Sequence, residues 1–345
     1  MTTDSRTLGY AVLLAGHPKV GPARLRDLID SPGAEIGWHE VGGDPAADPE
    51  RALAPYRDAG VEVLVPGDGR YPDALATDAH RPGVLFVRGD LAALGEVRVA
   101  IVGTRRCTGS GAGVARELGR ELTDAGVTVN SGLALGIDGA AHRGVLDAGG
   151  APVGVVGSGL DVVYPSKHRD LWDRVAHAGV LLSEAPLGAR PEPFRFPARN
   201  RIIAALSHLV VVVESHAAGG SMLTVQEAAD RDIPVMAVPG SVRSSSSSGT
   251  NLLIADGCAP VLDTTDVLVA LGLTAASRSA AVDLRPPPDA RQKLVLDAFD
   301  WEPVTLEHLA TRTSLRLPDL ALALESLLAA GWVTASGGWY ERVSA

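Results

Sequence analysis

From about residue 61 to 273, short β-branched runs alternate with stretches of helical periodicity. The runs Val61–Val65, Arg98–Gly103, Val127–Ser131, Pro152–Gly157, Val180–Ser183, Leu209–Glu214, Pro234–Val238 and Pro260–Leu262 read as strands. Between most of them lie helical stretches, such as Gly111–Ala125 and Thr224–Arg231, with apolar residues at three- and four-residue intervals. Strands apolar along their whole length, separated by helices, imply an α/β fold. It is a mostly parallel, doubly wound sheet covered on both faces.

The flanks follow other patterns. Residues 8–30 read as two short helices around His17-Pro18-Lys19-Val20-Gly21-Pro22, because Pro and Gly punctuate a turn and Leu25, Leu28 and Ile29 restore an apolar stripe. Such a pair either holds a nucleic-acid backbone at its Gly turn or is a small packing module. Residues 31–60, rich in Gly, Ala, Asp and Pro, read as a variable connection. Residues 274–290 have linker composition, stiffened by Pro286-Pro287-Pro288. Beyond it, Arg291–Phe299, Thr305–Thr311 and Leu317–Ala330 predict three helices, followed by a hairpin over Trp332–Val343. That order is a winged-helix pattern. The predicted organisation is therefore 1–60, 61–273, a 274–290 linker and 291–345.

Charge narrows the function. The chain carries 41 acidic and 31 basic side chains, a formal charge of −10, which excludes a uniformly basic nucleic-acid coat but not a local basic groove. Apart from Lys19, Lys167 and Lys293 every basic residue is arginine, so an anion site here is built from planar, bidentate forks. In 291–345 five basic residues face seven acidic ones, and the third helix carries Asp319 and Glu325 and no base. Phosphate contacts dominate DNA affinity, so this module fits a protein-contact or regulatory role better than duplex reading. Two cysteines, Cys107 and Cys258, lack metal-ligand spacing, which fits a reducing cytoplasmic compartment and no disulfide scaffold, zinc site or other metal. No apolar run approaches the ~20 residues of a membrane span, and Leu8–Gly16 reads as an ordinary helix rather than a secretory signal.

Candidate chemistry gathers at the predicted strand ends, where open α/β sheets bind ligands. Gly103-Thr104-Arg105-Arg106-Cys107-Thr108-Gly109-Ser110-Gly111 is a Gly-rich turn into a helix, suited to cradling an anion, with Arg105 adding a fork. A plain strand-to-helix turn also favours Gly and Thr. The glycines miss the G-x-G-x-x-G spacing, and Asn130-Ser131 offers no acid for a ribose, so a dinucleotide cofactor is disfavoured. The lysine-bearing phosphate loop is absent, and no cofactor is expected. Asp138 and His142 share a helical face, but with no third ligand or nucleophile in register they read as a cap and hydrogen-bond pair. Gly219-Gly220-Ser221-Met222-Leu223-Thr224 is a second possible phosphate turn. The sharpest local feature is Arg195-Phe196-Pro197-Ala198-Arg199-Asn200-Arg201-Ile202-Ile203, where residues 190–201 hold four arginines and one acid. An aromatic among arginines suits single-stranded nucleic acid, which offers base faces for stacking and phosphates for pairing. The alternative places Phe196 in the core and pairs some arginines with Glu184, Glu192 or Glu214.

In combination these segments resemble one family. Val99-Ala100-Ile101-Val102-Gly103-Thr104-Arg105, then Ser131-Gly132-x-Ala134-x-Gly136-Ile137-Asp138-x-x-Ala141-His142, is similar to the DNA-processing protein A (DprA/Smf) family. The order continues through Gly157-Ser158-Gly159-Leu160-Asp161-x-x-Tyr164-Pro165, Ser183-Glu184, Phe196-Pro197-x-Arg199-Asn200-Arg201-Ile202-Ile203, Ser221-x-Leu223-Thr224, Val238-Pro239-Gly240 and Gly249-x-Asn251. Upstream, Tyr71-Pro72-x-x-Leu75 and Leu85-Phe86-Val87-Arg88-Gly89 also match, so the resemblance runs over roughly 70–262. It implies an extended Rossmann-like fold with a helix-hairpin-helix or SAM-like module before it and a winged helix after it. It further implies a non-catalytic single-stranded DNA-binding protein that protects DNA in natural transformation, helps load the RecA recombinase and dimerises through the Rossmann domain. By position, Gly103, Thr104 and Arg105 match the family's phosphate site and Phe196, Arg199, Asn200 and Arg201 its DNA-contacting segment. Ser131, Gly132, Ser221 and Thr224 are expected to line the same pocket. Thr104 stands where the family usually has Ser, and Pro191 and Pro193 occupy a stretch that often carries a lysine.

Two rivals remain at this stage. Gly219-Gly220-x-x-x-Thr224-x-x-Glu227 partly echoes the Gly-Gly-x-Gly-Thr-x-x-Glu signature of nucleoside-monophosphate phosphoribohydrolases, but Leu223 replaces a glycine where a side chain would block a phosphate. The other rival is a protein-binding scaffold whose DNA pocket has decayed.

Overall fold

The computed structural model describes residues 3–273, 285–299 and 303–343. Tertiary contacts divide the chain into two compact units, Met1–Cys107 with Ala115–Thr274, and Thr108–Val114 with Ala275–Ala345.

The larger unit begins with five helices, α1 (Ser5–Ala15), α2 (Pro22–Asp30), α3 (Ala34–Glu40), α4 (Pro49–Ala52) and α5 (Ala54–Asp58). Asp4 caps α1 by accepting from the Thr7 amide at 3.0 Å, and Pro22 opens α2 where a missing N–H costs nothing. Strand β1 (Glu62–Leu64), helix α6 (Asp73–Ala76) and strand β2 (Leu85–Gly89) lead into the alternating region. There follow β3 (Arg98–Val102), α7 (Gly109–Asp124), β4 (Thr128–Ser131), α8 (Ile137–Asp147), β5 (Val153–Val156), α9 (Arg169–Ala178) and β6 (Val180–Ser183). Then come α10 (Arg195–Ala205), β7 (Leu209–Val212), α11 (Ser221–Ala229), β8 (Val235–Ala237), α12 (Ser248–Ala255), β9 (Ala259–Pro260) and α13 (Thr264–Ala270).

Among the described residues these strands form one sheet in the order β1-β2-β6-β5-β4-β3-β7-β8-β9. The stretch from β6 to β9 is parallel, while β2 pairs antiparallel with β6 and with β1. The sheet is thus mostly parallel and doubly wound, as expected, with the antiparallel strands gathered at one edge. Strand β2 went unmarked because Val84–Val87 is a short apolar run with no helical stretch before or after it to signal an alternation. Side chains divide between two cores on the pleat's period of two. Val153, Val155, Val180, Leu182, Val210 and Val212 pack on one face. Phe86, Val156, Leu181 and Trp172 pack on the other.

The second of these cores also takes in Tyr10, Leu14, Trp38 and Tyr56 from the N-terminal helices. Tyr56 stacks on Phe86 of β2 with ring centroids 5.1 Å apart. Residues 31–60, expected as a variable connection, instead hold α3–α5. Those helices are only four to seven residues long, too short for a periodic apolar stripe to show.

The smaller unit has α14 (Ala290–Asp297), strand β10 (Val304–Thr305), α15 (Leu306–Thr313), α16 (Leu317–Ala329), β11 (Val333–Ser336) and β12 (Trp339–Arg342). The strands form an antiparallel sheet in the order β10-β12-β11, and Val295, Leu309, Leu320, Leu324, Leu327 and Val333 make its core. Residues 274–284 of the expected linker lie outside the described residues.

Candidate nucleic-acid interface

Strand order reverses between β3 and β7, and the crevice at their carboxyl ends is where an open α/β sheet takes a ligand. The backbone closes the crevice itself: the Thr104 amide donates to the Glu214 carbonyl at 2.7 Å. A cavity of about 410 Å³ lies beside it, across the ends of β3, β4 and β5. Arg105, Gly132, Leu135, Gly157, Tyr164, Phe196 and Arg199 are among its walls.

Arg105 is exposed, and among the described residues no carboxylate forms an ion pair with it. Its guanidinium instead lies 4.8 Å from the centroid of the Phe196 ring. Phe196 is half-buried, with Tyr164 tilted against it at 5.4 Å between centroids. The ring is therefore neither core nor freely exposed. It is a wall of the cavity covered by a cation, a pairing worth about 0.5–1 kcal/mol at exposed sites.

Arg199 is held differently. Only 6 % of it is exposed, and its Nη1 donates to the Gly132 carbonyl at 2.6 Å and to the Val155 carbonyl. On the other side of the Gly132 residue, its amide donates to the Asp138 carboxylate at 3.1 Å. One glycine thus joins a buried cation to a buried anion. A Cβ on Gly132 would lie 2.5 Å from the Arg199 guanidinium, which its bonds to two carbonyls prevent from moving aside. Burial lowers the Arg199 pKa to about 10, opposed by Asp138. Burial raises that of Asp138, opposed chiefly by Arg199.

The other expected site residues spread out from this centre. Gly103 is half-buried, and a Cβ there would meet Ile137 at 2.5 Å and the Glu214 carbonyl at 2.8 Å, so packing alone demands glycine. Thr104 accepts from the Arg106 amide at 3.3 Å through its hydroxyl. Ser131 is fully buried and its hydroxyl donates to the Ile101 carbonyl at 2.6 Å. Ser221 donates to the Ser215 hydroxyl at 2.8 Å, and Thr224 is buried. Asn200 reaches the Gly220 carbonyl only at 3.4 Å. Arg201 pairs with Glu184 at 2.5 Å, with side chains 13 % and 10 % exposed, and Arg195 pairs with Glu192 at 3.2 Å. The cavity therefore brings together Arg105, Gly132, Phe196 and Arg199. Ser131, Arg201, Ser221 and Thr224 are committed to the fold.

Two aromatics were not singled out as site residues from the sequence. Phe194, in the same arginine-rich segment, could have been found by the same aromatic-among-arginines argument. Tyr164 arrives from a distant loop, and only the fold reveals it. The cap read for Asp138 is corrected: Gly136 is the N-cap of α8 with no side-chain bond, and Asp138 instead accepts from the Gly132 amide in the preceding loop. The described residues include no cluster of three or more His, Cys, Asp or Glu suited to a metal.

His142, four residues on, is fully buried, and burial lowers its pKa from 6.5 to about 3. The unfolded chain then binds a proton that the folded one refuses. The contribution of His142 is complete above pH 6.5 and is lost as pH falls from there towards 3, at up to about 1.4 kcal/mol per pH unit. Urea unfolding at pH 7 and pH 5 is expected to show the loss, and His142→Leu to flatten it. An equal fall in both proteins would remove His142 as the cause.

A mostly parallel sheet with helices on both faces and a cavity at its strand ends places the chain in the class of Rossmann-like α/β proteins. Residues 62–272 match the model of the DNA recombination-mediator protein A family, and the chain belongs to that family. The Smf protein of Synechocystis is 32 % identical over 332 residues, spanning 86 % of this chain and 83 % of the relative. The DNA processing protein DprA of Streptococcus pneumoniae is 40 % identical over 201 residues, 58 % of this chain and 71 % of the relative. Its crystal structure superposes with a TM-score of 0.63 at 30 % identity, covering 78 % of this chain and 98 % of that one. A structure of DNA processing protein A from Helicobacter pylori, described for its single-stranded DNA binding mode, superposes with a TM-score of 0.55 at 29 % identity. It covers 61 % of this chain and 95 % of that one.

Proposed function

We propose that this chain binds single-stranded DNA at the strand-end cavity, protects it and helps load a RecA-type recombinase, without catalysing a reaction. The observation that carries the reading is Arg105, exposed and without an ion-pair partner among the described residues, set over the ring of Phe196 at the cavity wall. That pairing offers a guanidinium to a phosphate and an aromatic face to a base, the two contacts single strands favour. The single-stranded DNA binding described for the Helicobacter pylori relative supports it.

The phosphoribohydrolase reading has weaker support. Glu227, the acid that signature would turn to a ribose, pairs with Arg231 at 2.6 Å, and Arg231 also pairs with Asp78 at 2.5 Å. Leu262, just after edge strand β9, and Val269 of α13, 77 % and 67 % exposed, support a homodimer formed through the sheet domain. Free thiols at Cys107 and Cys258 fit a cytoplasmic setting, and among the described residues no helix is long and apolar enough to cross a membrane. We read 1–60, 61–273 and 291–345 as helical, DNA-binding and winged-helix parts joined by 274–290, the last part serving protein contact.

Fluorescence anisotropy with oligo-dT and a matched duplex at two salt concentrations tests the function. Salt-sensitive preference for the single strand is expected, and binding to neither would overturn the reading. Phe196→Ala is expected to weaken oligo-dT binding by about 1–3 kcal/mol with the salt slope unchanged, because a stacked ring carries no charge. A variant that unfolds instead would return Phe196 to the core.

A further inference from the structure

A second aromatic stands two residues before Phe196. Phe194 is 58 % exposed, and the Arg195 guanidinium lies 5.2 Å from its ring centroid. It walls a separate cleft of about 340 Å³, closed by Pro22 of α2, by Glu184 and Ala185 after β6, and by Ala198 of α10. Val156, Gly157 and Arg199 line both this cleft and the first cavity. The two therefore meet across the carboxyl end of β5.

Three further facts bear on what the cleft takes. Its acid is already spent, since Glu184 is bound to Arg201 at 2.5 Å, so the cleft does not repel an anion. The wall it shares with the first cavity contains Arg199, 94 % buried by its 6 % exposure, and the Nε of that guanidinium has no hydrogen-bond partner. A buried N–H without an acceptor is costly, and the guanidinium that carries it belongs to a residue lining both cavities. Finally, the aromatic and its cation repeat the pairing of Phe196 with Arg105 on the opposite side of that wall.

We propose that this cleft is a second nucleobase subsite, in which Phe194 stacks on a base neighbouring the one held against Phe196. The inference rests on the single-stranded DNA reading given above and extends it to the path of the strand. The strand crosses the end of β5 and the start of α10, towards the turn before α2. Stacking asks only for a base face, so the subsite is tolerant of sequence.

The test uses the full chain and oligo-dT lengthened one nucleotide at a time, read by anisotropy. Wild type is expected to gain affinity in two steps. In Phe194→Ala the second step disappears, the longest strand binds about 5- to 150-fold more weakly, and the salt slope is unchanged. Phe194→Trp is expected to keep both steps, which separates stacking from loss of fold. Wild-type affinity of Phe194→Ala at every length, with Phe196→Ala weakened, overturns the second subsite and leaves the DNA reading standing. A wild-type chain that binds no oligo-dT overturns both.

Discussion

Arg105→Ala is expected to lower affinity for oligo-dT by about 30-fold and to flatten its salt dependence. The side chain is exposed and has no ion-pair partner among the described residues, so its charge is available to a phosphate. A hydrogen bond to a charged group contributes about 1.5–3 kcal/mol, while the contact of the cation with Phe196 is already made without DNA and adds nothing to the binding difference. Within that range about 2 kcal/mol corresponds to about 30-fold. One phosphate contact fewer reduces the slope of log K against log salt by about 0.7 for a single strand. Arg105→Lys keeps a charge but not the planar fork, so it is expected to retain the slope with intermediate affinity. Titrations at two salt concentrations, with thermal melts to show that the exposed substitution leaves stability alone, decide the matter. Wild-type affinity and slope in Arg105→Ala would remove the cavity as the DNA site.

That prediction was within reach of the sequence, and the contrast with its neighbours shows where sequence reading stops. Central strands such as Leu209–Val212 announce themselves because burial on both faces demands unbroken apolar residues. The same logic is silent for β2 at the sheet's margin and for the helices of 31–60, whose few turns borrow their stability from Phe86 and the shared core. At the site, the sequence leaves open whether the four arginines form one basic surface or pair in part with Glu184, Glu192 or Glu214. In the structure Arg195 and Arg201 are paired with Glu192 and Glu184 and Arg199 is buried. The charges and the candidate acids are legible in the sequence, but which arginine each acid takes is set by the fold. Glu184 follows β6, seventeen positions before Arg201. Ser131 and Ser221 sit at strand-end turns, where an anion could be met, yet each spends its proton on a neighbour within the fold.

Arg199 carries the second large effect, on stability before binding. Its guanidinium secures the Gly132 and Val155 carbonyls and offsets the charge of Asp138, which burial already disfavours. Arg199→Ala removes the cation and leaves Asp138 buried without it, beside two carbonyls that each lose a hydrogen bond. Breaking a buried charge pair by deleting one partner costs about 3–5 kcal/mol, a fall in melting temperature on the order of 10 °C for a domain of this size. The loss belongs to the stranded anion, so it should be partly recovered by Asp138→Asn in the same chain. The amide keeps an oxygen for the Gly132 amide and carries no charge. A double-mutant cycle of melting temperatures measures that coupling. Recovery in the double variant would show that Arg199 first builds the Gly132 corner and only through it the cavity. A full loss in both variants would mean that Asp138 is not the charge that Arg199 answers. A single variant that melts like the wild type but fails to bind oligo-dT would instead make Arg199 a direct DNA contact.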